Sequence, residues 1–336
     1  MNINSKNIFR KESITVEFFY KHTKERFNIE LLNKEIDLNR PITEQNLHRP
    51  GLALAGFVDL FSYKRVQIVG NTEVQYMKKL TLEKRRIAIE KLFGFDIPCV
   101  IFTNFNKPDP EIIELANQFN VPMFLSSLTT TKLSFLVSDF LDDQFAPRLS
   151  VHGSFIDVYG IGMLIVGKSG IGKSEVALDL IERGHRLVAD DVVILTKKGE
   201  GIIMGAGTEL VKHFMEIRGI GILDVRSLFG IRAIRFQKRL EVIIELEVWD
   251  ENSEYTRTGL DNKTTSIMDV EIQTVKIPIV PGKNITVISE VIALNYVLKH
   301  YGYDAAEVLN QRLKSKIKSK TDDTNRSVNY FEHDFE

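Results

Sequence analysis

The chain has 336 residues, 44 Lys+Arg against 45 Asp+Glu, and a formal net charge of -1. That length predicts about two domains with real cores, and the balanced charge gives no support for a nucleic-acid partner. A single cysteine, Cys99, excludes a disulfide scaffold and every multi-cysteine metal cage. No apolar run approaches the roughly 18 residues of a membrane span. The opening MNINSKNIFRKES lacks the apolar centre of a secretory signal. The expectation is a cytoplasmic enzyme or small-molecule binder, with no membrane contact.

Along the chain, Thr15–Arg40 has helical spacing. RPGLALAG (Arg49–Gly56) opens on a Pro-Gly turn signal. Arg65–Gly70, Pro98–Asn104 and Val121–Ser126 read as short strands, separated by helical patterns at Thr72–Arg85 and Asp109–Gln118. Strands alternating with helices predict an α/β unit with a parallel sheet. This first domain, residues 1–146, ends where LDDQFAPR combines charge and proline.

The second domain, residues 147–312, is richer in strands. Val151–Tyr159 and Met163–Val166 come first, then one helix at Ser174–Arg183 with Gly184 as its stop. Arg186–Leu195, Gly201–Met204, Leu240–Trp249 and Val270–Ile279 follow as strands, and helices return at Ser289–Tyr301 and Asp304–Lys316. A strand-rich middle predicts a mixed, partly antiparallel sheet. Residues 313–336 read as a frayed, polar and disordered tail.

The strongest chemical signal is GKSGIGKS, which fits G-x-x-x-x-G-K-[ST] between an apolar strand and a helix. Gly167, Gly170 and Gly172 let the backbone of Lys168, Ser169 and Ile171 wrap phosphates. Lys173 neutralises the phosphates and the Ser174 hydroxyl suits Mg²⁺. Asp190 and Asp191 follow Lys173 by 17 and 18 positions. Alternation along a strand would turn one towards a metal and the other towards a substrate, although an acidic surface turn has the same pattern. His152, at a strand start, suits phosphate binding, but a lone histidine is more often structural.

In MEIRGIGILD, Glu216 and Arg218 lie two apart, so on a strand they share a face. One suits Mg²⁺ and the other a phosphate oxygen. Arg257 and Lys283, the latter in PIVPGK, sit in loops, where a solvated charge is the simpler reading.

Taken together, these segments resemble the bacterial HPr kinase/phosphorylase family over nearly the whole chain. The segments are RPGLALAG and RVQIVGNTE in the first domain, and VHG…DVYGIG…GKSGIGKSE, RLVADDVV, MEIRGIGILDVRSLFG and IPIVPGKN in the second. The resemblance implies a three-layer α/β first domain and a P-loop kinase-like second domain that assembles into a homohexamer. It implies transfer of a phosphoryl group from ATP (or pyrophosphate) to a serine of the phosphocarrier HPr. It also implies the reverse, phosphorolysis by inorganic phosphate that yields pyrophosphate.

Carried residue by residue, the resemblance puts the nucleotide on Gly167–Ser174 and Mg²⁺ on Ser174 and Glu216. Asp191 takes and returns the serine proton, and His152, Lys173 and Arg257 complete the catalytic set. Met215, Glu216, Ile217, Arg218 and Gly219, with Ile220, Gly221, Ile222, Leu223 and Asp224, would serve both reactions. Pro278, Ile279, Val280, Pro281, Gly282 and Lys283 would serve dephosphorylation. Two positions depart from the family pattern. Val280 and Lys283 stand where arginines are common, and lysine lacks the bidentate fork; Lys168 stands where an aspartate is common. Two other readings fit the P-loop: a small-metabolite kinase related to phosphoenolpyruvate carboxykinases, and a nucleotide-dependent regulatory module without turnover.

Overall fold

A computed structural model describes residues 8–34, 36–249 and 263–322, with side chains to residue 317. Its contacts divide the chain into two compact units: a first, Phe9–Pro147, and a second that runs from Arg148 onward and also takes in Ile8.

The first unit is a three-layer α/β sandwich. Helix α1 (Val16–Thr23) is capped by the Thr15 hydroxyl, which accepts from Phe18 N–H. The helical spacing read over Thr15–Arg40 therefore continues well past the real helix. Asn28 turns left-handed at φ 46° and β1 (Ile29–Leu31) begins at once, pairing antiparallel with residues 124–126. After β2 (Leu47–His48), α2 (Gly51–Leu54) and β3 (Val66–Val69), the pattern at Thr72–Arg85 resolves into two helices. These are α3 (Asn71–Lys79) and α4 (Leu82–Phe93), divided at extended Leu80, with the Thr81 hydroxyl capping the second.

Strand β4 (Val100–Phe102), α5 (Pro110–Gln118), β5 (Met123–Ser126) and α6 (Thr130–Phe145) complete the unit. The sheet order is β1-β5-β4-β3-β2, parallel from β2 to β5 with antiparallel β1 at one edge. One face packs under α2–α5 and the other under α1 and α6, so β3, β4 and β5 are buried along their whole length. Helix α6 lies where the domain was expected to be ending. Its core stripe, Leu133, Val137, Leu141 and Phe145, has a four-residue period.

The second unit stacks an antiparallel sheet, a mixed sheet and a helical layer. It begins with β6 (Arg148–His152), β7 (Ser154–Val158) and β8 (Ile161–Gly167), followed by α7 (Lys173–Glu182). Then come β9 (Arg186–Ala189), β10 (Val192–Lys198), β11 (Ile202–Gly207) and the hairpin β12 (Phe214–Ile217) with β13 (Gly221–Asp224). Helix α8 (Val225–Phe229), β14 (Gln237–Arg239) and β15 (Val242–Val248) precede β16 (Thr264–Ile267), β17 (Val270–Ile279), α9 (Ile285–His300) and α10 (Ala305–Asp322).

The six-stranded mixed sheet runs β9-β7-β8-β15-β17-β16, with β8, β15 and β17 parallel to one another. Beneath it lies a five-stranded sheet, of which β6, β10, β11 and β14 pair antiparallel in the order β6-β10-β11-β14. Phe155, Leu164, Val166 and Ile243 face this second sheet, whereas Ile156, Met163 and Ile165 face α7 and α9. Helix α10 continues to Asp322, past the Lys316 end read from the sequence and into the stretch expected to fray.

Two apparent single strands turn out to cross between sheets. Val151–Tyr159 divides at Gly153, leaving β6 in the antiparallel sheet and β7 in the mixed one. Arg186–Leu195 divides at Asp190–Asp191, with β9 in the mixed sheet and β10 in the antiparallel one. The crossings sit side by side: Gly153 N–H donates to Asp191 O at 3.1 Å, and His152 pairs with Val192. A Cβ at Gly153 would lie 2.5 Å from Ile165 O, so only glycine fits that corner.

Candidate nucleotide site

Because β8, β15 and β17 are parallel and in register through Gly167, Leu246 and Ile277, their following loops leave one edge of the sheet. The Gly167–Ser174 loop follows β8, and the Pro278–Lys283 segment ends β17. There Pro278 and Ile279 finish the strand. Val280, Pro281 and Gly282 make a turn closed by Lys283 N–H donating to Val280 O at 3.1 Å. Arg257, in the stretch after β15, lies outside the described residues.

The phosphate loop closes onto α7 through Gly172, left-handed at φ 99°, which offers no side-chain cap. The first helical turn is therefore open to an anion, which its dipole favours. Lys173 Nζ bends back over the loop, donating to the carbonyls of Gly167 and Lys168 at 3.4 and 3.2 Å. Ile171 is tucked against the core. A cleft of about 230 Å³ is lined by the loop (Ser169, Gly170), by the start of α7 (Gly172 to Glu175), and by Asp190, Asp191, Glu216 and Arg218.

The two aspartates at the crossing have opposite environments. Asp190 is 4% exposed. Its Oδ1 accepts from Ser154 Oγ at 2.5 Å and Ser174 Oγ at 3.1 Å, while Oδ2 is buried with no partner among the described residues. Burial pushes its pKa above the ordinary carboxylate value, against the opposing pull of the two hydroxyls and, after them, of the Asp191 and Glu216 backbone N–H groups. Asp191 stands at φ 63° with its side chain 73% exposed, and its Oδ1 lies 3.6 Å from His152 Nδ1. One corner thus gives a buried carboxylate on the P-loop serine and an accessible one beside a histidine.

The β12–β13 hairpin supplies the opposite wall. Met215 and Ile217 are buried and anchor it, Leu223 packs on the same core, and Asp224 caps α8 by accepting from Ser227 N–H. The strand stops at Ile217, so Arg218 begins the turn with Gly219 and Ile220, and Gly221 restarts pairing. The shared strand face expected for Glu216 and Arg218 is replaced by a shared cleft. Arg218 reaches the phosphate loop itself: a Cβ on Gly170 would meet its Nη1 at 2.7 Å. Ile220 and Ile222 stay exposed.

Ser154 is a site residue the sequence reading did not single out. A serine in an apolar strand carries no pattern, and only the fold brings it to Asp190.

A glycine loop closing on an uncapped helix, with an aspartate on its terminal serine, is the phosphate-binding arrangement of P-loop proteins. The chain belongs to the HPr serine kinase family. Residues 143–313 match the model described as HPr Serine kinase C-terminal domain, and residues 14–141 match HPr Serine kinase N terminus. The HPr kinase/phosphorylase of Chloroherpeton thalassium is 55% identical, covering 98% of this chain and 99% of that protein. That of Prosthecochloris aestuarii is 52% identical, covering 96% and 95%. The solved structure of the Hpr(Ser) kinase/phosphatase from Coxiella burnetii is 34% identical, covering 48% of this chain and 97% of that one, with a TM-score of 0.43. The match through residues 14–141 accounts for the first unit, which a related metabolite kinase would leave unexplained. Among the described residues, no helix is long and apolar enough to cross a membrane.

Proposed function

We propose that this chain transfers the terminal phosphoryl group of ATP to a serine of HPr and reverses the modification by phosphorolysis, releasing pyrophosphate. Within the family, the observation that carries this reading is the pair of unlike carboxylates in one cleft. Buried Asp190 lies on the P-loop serine, and exposed Asp191 is open to an incoming hydroxyl.

The cleft fits a divalent cation. The orphaned Asp190 Oδ2, the Ser174 hydroxyl and the Glu216 carboxylate are hard oxygen donors. Two of these donors are carboxylates and one is a hydroxyl. This suits Mg²⁺, which takes one or two carboxylates and completes its shell with phosphate oxygens and water. When bound, Mg²⁺ would neutralise charge on the transferring phosphoryl group.

In the forward direction, Lys173 and the α7 N-terminus hold the phosphates, and Arg218 faces them from the hairpin. Asp191 accepts the serine proton as the serine oxygen bonds to the γ-phosphorus. The bond from that phosphorus to the β–γ bridging oxygen breaks, and ADP leaves. His152, 3.6 Å away, orients that carboxylate. In reverse, a phosphate oxygen bonds to the phosphoserine phosphorus, the serine oxygen leaves, and Asp191 returns the proton to it. The loop through Lys283, at the same sheet edge, would help hold the attacking phosphate.

We propose that the chain assembles into a homohexamer, and the exposed apolar surface of the second unit supports self-association. Helix α9 buries Ile285, Ser289 and Ala293 but exposes Val287, Val291, Leu294 and Leu298, a stripe of alternating four- and three-residue steps suited to another helix. A monomer rarely leaves such stripes open. Light scattering should give six copies for the wild type and fewer for Leu294→Asp. The reaction is tested with purified HPr: ATP should yield phosphoserine, and added phosphate should remove it with stoichiometric pyrophosphate. Absence of phosphoserine overturns the kinase reading.

A further inference from the structure

Ser154 opens β7 on the face that continues through Ile156 and Val158 into the core under α7. It is completely buried. A hydroxyl in that position is unfavourable unless it is bonded, and its bond goes to Asp190 Oδ1 at 2.5 Å. The same oxygen takes the Ser174 hydroxyl at 3.1 Å. Two donors on one carboxylate oxygen fix the plane of a group whose terminal torsion is otherwise broad. Oδ2 is left buried and unpartnered, on a residue that lines the cleft beside Lys173 and Glu216. The Ser174 proton is committed to Oδ1, so the lone pairs of Ser174 Oγ are free for another partner.

We propose that Ser154 is a positioning residue for the divalent cation. It clamps Oδ1 so that Oδ2 of Asp190 and Oγ of Ser174 are presented to one ion. Ser154 itself never touches the ion; it acts through Asp190. The inference rests on the proposed cation-dependent phosphoryl transfer, and it adds a specific cause for the cation's affinity. A strand residue outside the glycine loop and outside the hairpin sets how tightly the metal is held.

The test uses the full-length protein and Mn²⁺ as a spectroscopic probe. Electron paramagnetic resonance follows Mn²⁺ binding in the presence of a non-hydrolysable ATP analogue, and binding of the same analogue is measured separately without metal. Ser154→Ala should weaken Mn²⁺ binding by about tenfold, the usual scale for loss of a group that orients a ligand. It should leave metal-free analogue binding unchanged, and Ser154→Thr should restore the affinity. Should Ser154→Ala fold poorly, Ser154→Cys, nearly the same size but a weak donor, carries the same expectation. Equal Mn²⁺ affinity in wild type and variant overturns this proposal alone. So does a parallel loss of metal-free analogue binding, which marks a purely structural role. A wild type that binds no Mn²⁺ overturns the cation reading of the cleft as well.

Discussion

The two ends of α7 are built on opposite plans. At the N-terminus, Gly172 supplies no cap, and the polar groups around it face a cleft. At the C-terminus, the Arg183 guanidinium is clasped by Glu290 of α9 through bonds of 2.8 and 2.6 Å, and His185 joins the same carboxylate at 3.0 Å. Asp179 also accepts from Thr286 of α9 at 3.2 Å. Cations at this end complement the helix dipole, as an anion would at the other. Binding is served at one end by a helix terminus without a side-chain cap. Its placement is secured by groups fully engaged at the other.

This contrast can be broken at either end. The largest effect is expected at the open end, where Asp191→Ala should lower both transfer reactions by about 10²–10⁴-fold. Nucleotide binding should persist, as a fluorescent ATP analogue would show. Lys173→Ala should cost about 10²–10³-fold in turnover and, unlike Asp191→Ala, weaken nucleotide binding. Neither should shift thermal unfolding appreciably, because both side chains face the cleft.

At the closed end the effects should fall on stability. The Arg183 and His185 contacts hold the Glu290 carboxyl below its ordinary pKa. A depressed folded value means that the stabilisation is present above about pH 4.5 and is lost as pH falls through the folded value. Glu290→Gln should therefore destabilise the second unit by about 1–3 kcal/mol at pH 7. The lower part of that range is expected, since water screens the half-exposed Arg183. Urea melts should show the gap from wild type closing as pH drops below that range, while turnover at 25 °C stays within a few-fold. The smallest effect is expected for Thr286→Val, about 0.5–1.5 kcal/mol, read from the same melts.

What could be read from the sequence follows the range of the physics. The phosphate loop is legible because its glycines answer a local backbone demand, and the strand and helix around it are continuous in sequence. Asp190 and Asp191 are legible as a pair. Their unlike environments are not, because RLVADDVV looks like one strand and only tertiary packing sends its halves to different sheets. Ser154 is hidden for the same reason, since its partner lies 36 positions away. Helix α6 did carry a signal: its four-residue stripe was present, but the LDDQFAP charge cluster and proline read as a boundary. The break at Leu80–Thr81 was also visible in principle, as a threonine cap before an acidic first turn.

The double crossing at Gly153 and Asp190–Asp191 also bears on how this protein can change over evolutionary time. The two carboxylates sit on adjacent residues at the junction between strands of different sheets, so the directions in which they point depend on how those sheets lie. Gly205 keeps the sheets close: a Cβ there would strike the Phe155 ring. Substitutions in this interior layer, with no cleft residue altered, would turn one acid relative to the other and alter catalytic rate. Drift that most folds absorb as lost stability would register here as altered catalysis.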